Sequence, residues 1–510
     1  MNTNTRTHNS IRNLAMSVFQ KMIAIILTFV GRQIFLQVLT IEYLGISGLF
    51  SDIFQLLSLA DLGLVTAMAY SFYKPLSEKN EDKLAALTGF YSKVYRVIAA
   101  FVALAGLLLM PFLRYIINLE TDIPNIEIYY LITLANTVFS YLFVYKSTII
   151  TADQHGRIIT KYSIWMNIIG LLVQIAVLLI TGSFLLFCLV TVLTTITNNL
   201  IISRKAVKQY PFIKRKVRLP ADDRREIFHN IKSIFIFKIA NVVFKGTDSI
   251  FISTILGTAI VGMFANYRLA VSNLALIAFL VFGSLTPSIG NLVALESSEK
   301  RMRVFKVMQV ASHWLGGFFV FCLFFLLDGF VTLWLGDEFV FGMFTKLAIL
   351  VNFYLSITLY PIVVFREASG MYQKTKYAMV AAAALKIAFS IIMGIHFGLP
   401  GIVLATSASK LLTYAWYEPK ILFRDFLGGS ALKYFSGHLL NFLMIFSCIA
   451  LVYFLIPQYD GIGWSAWLLK AIVCAVSINI IYLIRYCRSP ELKVLYRILK
   501  MFRNNEDAYL

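Results

Sequence analysis

Apolar residues recur along the chain in long blocks, separated by short connections that are rich in polar or charged side chains. The blocks run for roughly 20 to 28 residues, which is long enough to cross about 30 Å of hydrocarbon at about 1.5 Å per residue. They predict an all-α, polytopic membrane protein with about fourteen transmembrane helices. The candidate spans cover residues 12–38, 44–72, 86–111, 125–150, 158–181, 184–203, 231–256, 259–290, 304–335, 342–368, 375–397, 399–417, 434–456 and 463–486.

Composition excludes the main alternatives to a helical membrane protein. Of the 510 residues, 59% are hydrophobic and 14% are charged, whereas a soluble domain has about 45–50% apolar and about 25% charged residues. This chain therefore has more apolar surface than one or two soluble cores could bury. An outer-membrane barrel is excluded as well, because its strands alternate in segments of about 10 residues.

The distribution of charge predicts the orientation in the membrane. Lysine and arginine total 46 and aspartate and glutamate 26, which gives a net charge of +20. The basic residues cluster in the connections on one side, and the opposite connections are nearly free of them, with Arg114 as the clear exception. By the positive-inside rule both termini are predicted to be cytoplasmic. The first helix lacks a preceding cleavable-signal pattern and is expected to be retained. Nucleic acid is not an expected partner, since no folded basic domain is predicted.

Short motifs repeat along the chain in one register. The triplet Gly31–Gln33 is matched by Gly246–Asp248, and Thr160–Tyr162 is matched by Thr375–Tyr377, both at an offset of about 215 residues. Gly48 has a counterpart at Gly262, at an offset of about 214. The repeat unit contains six helices, an even number, so both copies must enter the membrane in the same direction. The pattern predicts parallel repeats around an axis along the membrane normal.

The repeat defines the predicted domains. Residues 1–203 form an N lobe of six helices, 204–230 a basic cytoplasmic linker, and 231–417 a C lobe of six helices. Residues 418–510 hold two further helices and a basic cytoplasmic tail. Two six-helix lobes facing each other across a cavity are typical of a transporter that works by alternating access. A duplicated scaffold or receptor is the alternative, but it leaves the charges inside the spans unexplained.

Cationic side chains inside the predicted spans are the candidate substrate site. An ionisable group at mid-bilayer costs about 2.5 to 3.5 kcal/mol, so each one suggests a function. Ser17, Lys21, Thr28 and Arg32 fall on one face of the first helix, and Lys238 and Lys245 share a face of the seventh. A cavity lined with such cations favours a phosphate or diphosphate. The predicted substrate-binding residues are Arg32, Lys245, Arg268, Lys21, Lys238, Lys386 and Lys410.

Alternatives exist for several of these charges. Lys21 is close enough to the cytoplasmic headgroups to extend into them, and Lys93, Arg96 and Arg366 are interpreted as lipid anchors for the same reason. The deep acids Asp61 and Asp248 are candidates for binding a coupling proton or sodium ion, with a salt bridge to a lysine as the alternative for each.

Enzymatic chemistry is not predicted. His313 is isolated in the sequence, without a partner at metal-ligand spacing. The five cysteines have no CxxC spacing, which argues against a zinc site or a disulfide. No catalytic triad, metal motif or phosphate loop occurs in the sequence, so we expect neither a metal nor a cofactor.

Three segments resemble the polysaccharide transporter family, the Wzx-type lipid-linked oligosaccharide flippases of the MOP superfamily. They are Tyr43–Phe50 (YLGISGLF), Leu57–Gly63 (LSLADLG) running on to Tyr73–Leu76 (YKPL), and Phe397–Ile402 (FGLPGI) before Trp416–Pro419 (WYEP). The resemblance extends over nearly the whole chain, including the six-plus-six repeat. It rests on the order and spacing of motifs that are individually short.

The resemblance implies a bacterial plasma-membrane flippase. Its substrate would be an undecaprenyl-diphosphate-linked oligosaccharide repeat unit for capsule, exopolysaccharide or O-antigen synthesis, and its partners would include polysaccharide polymerase machinery. In the related MurJ group the last two helices form a groove for the lipid tail, which implies that role for 434–456 and 463–486. Teichoic-acid and peptidoglycan precursors carry the same diphosphate and polyprenyl groups and stay open as substrates. A multidrug or cation exporter of the related MATE type is the other alternative, although a cavity for cationic drugs should be acidic.

Overall fold

The computed structural model describes residues 22–58, 64–119, 123–153, 155–455 and 463–495. These residues form helices and connections, and no β-strand occurs among them. Eleven helical segments within the described ranges are long and apolar enough to cross a membrane. The prediction of an all-helical, multi-pass membrane protein is therefore confirmed. The total of fourteen stays a prediction, because the first helix is shorter in the described residues and residues 59–63 of the second span lie outside them.

The chain divides into two compact units, Met1–Ala265 and Asn266–Leu510. The predicted lobes, 1–203 and 231–417, place the division earlier in the sequence, and their arrangement as repeats stays a prediction. The described helices up to the division are α1 Met22–Val38, α2 Ile41–Leu57, α3 Leu64–Ser77, α4 Glu81–Leu109, α5 Leu113–Ile116, α6 Ile126–Ala152, α7 Arg157–Thr181, α8 Phe184–Gln209, α9 Ala221–Gly246 and α10 Asp248–Leu256.

The helix that contains the division is α11, Thr258–Gly283. The helices that follow it are α12 Thr286–Leu295, α13 Ser298–Leu335, α14 Met343–Thr358, α15 Tyr360–Ala368, α16 Tyr372–Leu412, α17 Tyr414–Leu422, α18 Leu432–Leu455 and α19 Trp464–Tyr486. A π-helical turn, Phe423–Leu427, continues α17.

The predicted linker 204–230 is largely helical. Helix α8 continues to Gln209 and α9 begins at Ala221, ten residues before the predicted span at 231. Pro220 precedes the first turn of α9, and Asp222 and Asp223 lie within that turn, where carboxylates favour the positive end of the helix dipole. The segment between the two helices is fixed to α4, since the guanidinium of Arg215 lies 2.9 Å from the Glu81 carboxylate.

Aromatic side chains form much of the core in each unit. In the first unit the rings of Phe50 and Phe54 lie 5.2 Å and 4.9 Å from that of Tyr130, whose hydroxyl donates to the Gly106 carbonyl at 2.8 Å. In the second unit Phe305 of α13 is fully buried. Its ring packs against three others, those of Phe365, Phe423 and Tyr434.

Helix α16 is broken at Gly398, between the spans predicted to end at 397 and to begin at 399. Gly398 has φ 63° and ψ −142°, a conformation that glycine adopts more readily than other residues. A Cβ built on Gly401 would lie 2.0 Å from the backbone oxygen of Met393. In a straight helix those residues would be about 12 Å apart, so the chain folds back at this point.

Candidate substrate site in the membrane

Arg32 lines a small cavity inside the first unit. It lies on α1 one turn after Thr28, and both contribute to a cavity of about 120 Å³ together with Ser47 of α2 and Gln174 of α7. Thr28 and Arg32 therefore share a face of α1, as predicted. The Arg32 side chain is half-buried. Small-molecule pockets usually measure about 300–1,000 Å³, so this cavity has room for waters or one small group but not for an oligosaccharide.

Two predicted cations lie on α9, near its junction with α10. Lys238 is half-buried and Lys245 is exposed, and their spacing of seven residues corresponds to about two helical turns. Asp248 begins α10 directly after the junction at Thr247. All three belong to the same compact unit as Arg32. Lys21 and Asp61 lie outside the described residues.

A buried acid close to this junction was missed in the sequence analysis. Asp52 of α2 is 5% exposed and accepts a hydrogen bond from the hydroxyl of Ser249 on α10. This contact links α2 to α10 within the first unit. Asp52 lies inside the predicted span 44–72, so the rule that selected Asp61 would also have selected it.

The second unit contains the other three predicted cations. Lys386 and Lys410 of α16 are 1% and 6% exposed, and Arg268 of α11 is half-buried. The Lys410 ammonium donates to Asn352 Oδ1 and Ser356 Oγ on α14, each at 2.8 Å. These two hydrogen bonds give Lys410 a structural role, since they join α16 to α14.

An intramembrane ion pair in the second unit was not predicted. Lys346 Nζ of α14 lies 2.5 Å from Asp328 Oδ2 of α13 and 4.7 Å from the centre of the Phe324 ring. The hydroxyl of Tyr267 donates to the other Asp328 oxygen at 3.4 Å and accepts from the Phe341 N–H at 3.0 Å. Asp328 falls inside the predicted span 304–335, so its position alone was a signal. Tyr267 directly precedes the predicted residue Arg268 on α11.

The interpretation of Arg366 as a lipid anchor was wrong. Its side chain is 9% exposed, and its Nη1 donates to both carboxylate oxygens of Glu418, at 2.9 Å and 3.0 Å. Glu418 is itself 1% exposed. The arginine is therefore buried against α17 instead of reaching the headgroups, because a carboxylate 52 residues away compensates its charge.

His313 has no partner at metal-ligand spacing in the sequence, but it has partners in the fold. Its Nε2 lies 3.2 Å from Nδ1 of His438 on α18, and its Nδ1 lies 3.4 Å from the Tyr486 hydroxyl of α19. Its backbone carbonyl accepts from the Tyr482 hydroxyl at 2.8 Å. Within the described residues no group of three or more His, Cys, Asp or Glu side chains is placed to hold a metal ion. This polar cluster therefore joins α18 and α19 to α13.

Sequence comparisons give no match. No model of a known protein family matches the chain, and no curated protein sequence matches it.

Solved structures give clear matches. The lipid II flippase MurJ in an inward closed conformation aligns with a TM-score of 0.66 at 14% identity, over 93% of this chain and 100% of the flippase. An inward-facing multidrug resistance transporter of the MATE family, MOP superfamily, gives 0.59 at 12% identity, over 79% of this chain and 98% of its own. A Vibrio cholerae MATE transporter gives 0.55 at 15% identity, over 83% and 99%.

The chain has the fold of the MOP-superfamily transporters. Identities of 12–15% establish a common fold and leave the substrate open. The extent of the matches differs. The MATE transporters leave 100 − 83 = 17% to 100 − 79 = 21% of this chain without a counterpart, whereas the flippase leaves 100 − 93 = 7%. The architecture of this chain is therefore more fully matched by the flippase.

Proposed function

We propose that the protein is a flippase for polyprenyl-diphosphate-linked oligosaccharide repeat units in the bacterial plasma membrane. The observation that carries this proposal is the structural match to a lipid II flippase over 93% of the chain. The charges inside the helices support it, since six of the predicted cations lie in the described residues. A diphosphate is an anion that arginine and lysine bind well.

The proposed mechanism is alternating access of two lobes, 1–203 and 231–417, with both termini in the cytoplasm. The diphosphate and sugars would enter a cavity between the lobes, and the polyprenyl tail would stay in the lipid along α18 and α19. Arg32, Lys238, Lys245 and Arg268 are the proposed phosphate contacts, with Lys21 as a further candidate. Lys386 is buried in this conformation and would contribute only in another one. Lys410 donates to Asn352 and Ser356 of α14 and is assigned a structural role here. Net transport requires different affinities in the inward and outward states, for which Asp61 and Asp248 are candidate ion-binding residues.

The test is exposure of a lipid-linked oligosaccharide to a membrane-impermeant probe in proteoliposomes. We expect wild type to expose the lipid across the bilayer, and Arg32→Ala, Lys245→Ala and Arg268→Ala to lower the rate about tenfold each, because each removes a charge-assisted contact. Arg114→Ala is the matched control, since Arg114 is an exposed cation on α5 outside the candidate site. Equal losses in the control and the site variants would contradict the assignment.

Export of organic cations is the second candidate function. The two MATE transporters, with TM-scores of 0.59 and 0.55, support it at the level of the fold. The same proteoliposomes loaded with a fluorescent organic cation distinguish the two functions. Cation export without lipid exposure would replace the flippase proposal. Lipid exposure that is equally fast with teichoic-acid or peptidoglycan precursors would widen the substrate to any polyprenyl diphosphate.

A further inference from the structure

A large cavity lies in the second unit, and its lining includes none of the cations proposed above to contact the diphosphate. It has a volume of about 570 Å³ and is bounded by the start of α13, the turn before α18 and the end of α19. This volume is within the range of about 300–1,000 Å³ that small-molecule pockets occupy. Three cations, Lys306, Lys433 and Arg485, contribute to its walls.

The backbone around the cavity is fixed by a tight turn. Gly428 and Gly429 have φ of 77° and 81°, which reverses the chain after the π-helical turn and places Lys433 at the cavity. The turn is held to α13, because the Arg301 guanidinium donates to the Phe426 carbonyl at 3.1 Å. The wall is therefore built by segments that are distant in sequence and held together by specific contacts.

The cavity has an excess of positive charge. Lys306 and Lys433 are exposed, and neither forms an ion pair with a side chain in the described part of the chain. The guanidinium of Arg485 is half-buried and donates to the Met444 sulfur at 3.0 Å, a weak acceptor that leaves most of its donors for other groups. One acid, Glu491, also lines the cavity. Three cations against one carboxylate favour an anionic ligand.

The remaining wall combines neutral hydrogen-bonding groups with apolar surface. The hydrogen-bonding side chains are Gln309, His313, Ser430 and Tyr486. The apolar and aromatic side chains are Met302, Phe305, Val310, Phe423 and Tyr434. Phosphate oxygens accept from the cations and from Gln309 and Ser430, whereas hydrocarbon or glycerol carbons pack against the apolar set. A small molecule with both parts fits this wall better than a bare anion does.

We propose that this cavity binds the phosphate group of an anionic amphiphile, with Lys306, Lys433 and Arg485 as the phosphate contacts. The phosphate can come from a phospholipid headgroup or from a soluble phosphate ester, and both present the same anionic oxygens. The α13, α18 and α19 ends that form the cavity are on the side predicted to be cytoplasmic, where anionic lipid attracts basic residues. The proposal uses none of the cations proposed to contact the transported diphosphate, and it stands whether or not the protein moves lipid-linked sugars.

Binding to the full-length protein in neutral detergent provides the test. The probes are a short-chain phosphatidylglycerol, the matching phosphatidylcholine, and inorganic phosphate, each titrated and followed by native mass spectrometry. The triple variant Lys306→Gln, Lys433→Gln and Arg485→Gln removes the site. The control triple variant Arg303→Gln, Lys420→Gln and Arg488→Gln removes three exposed cations outside the cavity wall and lowers the net charge equally, from +20 to 20 − 3 = +17.

We expect phosphatidylglycerol to bind wild type and the control at least about a hundredfold more tightly than the site variant, since each charge-assisted contact contributes about tenfold or more. If the site variant also loses affinity for inorganic phosphate by the same factor, the site is supported and its ligand can be a soluble phosphate ester. Equal affinities of the two triple variants for every probe would overturn the proposal, as would binding of phosphatidylcholine that matches phosphatidylglycerol. If the triple variant does not fold, Lys433→Gln alone, at an exposed position, tests the same loss of phosphatidylglycerol affinity.

Discussion

Arg32 and Lys410 are both cations in apolar helices, but their surroundings differ. Arg32 is half-buried beside a cavity of about 120 Å³, whereas Lys410 is 6% exposed and donates to two neutral side chains of α14. Burial against protein acceptors stabilises a helix contact, whereas a cation in a cavity wall is placed where a ligand can reach it. Position in the sequence alone does not separate these two cases, since both residues lie inside predicted spans.

The largest effect is expected where a charge is most completely enclosed. Glu418→Gln removes the buried carboxylate that lies 2.9 Å from Arg366, while the Glu367 carboxylate stays 3.8 Å away. The guanidinium stays buried, so we expect the free energy of unfolding to fall by about 3–5 kcal/mol. Glu296→Gln is the control, because its pair with Lys300 is about 40% exposed and should contribute only about 0–1 kcal/mol. Unfolding in one detergent, followed by circular dichroism, measures both. Similar losses of unfolding free energy in the two variants would show that burial does not determine how much an ion pair contributes to stability.

Lys410→Met tests the structural side of the comparison. The variant leaves Asn352 Oδ1 and Ser356 Oγ without the donor they now share, so we expect a loss of about 1–3 kcal/mol in the free energy of unfolding. Transport per folded molecule should stay unchanged. Lys420→Met, at an exposed position on α17, is the matched control. A variant with wild-type stability and abolished transport would instead make Lys410 a substrate contact.

Arg32→Ala and Arg32→Lys test the functional side. We expect alanine to lower the transport rate about tenfold, with lysine recovering part of it, because lysine keeps the charge and loses the two parallel hydrogen bonds of arginine. The free energy of unfolding should change by less than about 1 kcal/mol, as for other sites away from the packed core. Parallel transport and unfolding measurements decide between the two roles. A large loss of stability would show that Arg32 has a structural role like that of Lys410.

The smallest effect is expected at an exposed ion pair. Arg215 lies 2.9 Å from Glu81 and 3.2 Å from Asp82, and its side chain is 54% exposed. Arg215→Ala should lower the free energy of unfolding by less than about 1 kcal/mol, and the difference should shrink at high salt. Unfolding at low and high ionic strength checks this. A salt-independent loss above that size would indicate that the connection between α8 and α9 is a structural element.

The sequence predicted what depends on local pattern and missed what depends on distant partners. Long apolar blocks identified the membrane helices, and the boundary between the predicted spans 375–397 and 399–417 coincides with the break at Gly398, because hydropathy is read from neighbouring positions. Arg366 was misassigned because Glu418 lies 52 residues away. The contact of His313 with His438 was missed because the two residues lie 125 positions apart. Helix packing creates such pairs, and a single sequence carries no direct record of it. Asp52 and Asp328 lie inside predicted spans, so the rule that selects charges inside spans could have identified them, but they were not selected.

The break at Gly398 has a consequence for how the protein is made and detected. Since the chain folds back there without an intervening loop, the two halves of α16 present no hydrophilic segment on the far side of the membrane. They would have to leave the translocation channel as a joined hairpin, and a charge placed at the tip would have no aqueous loop to occupy. Because the turn is so short, topology mapping at this point is best done by single-cysteine labelling at Phe397, which is 68% exposed.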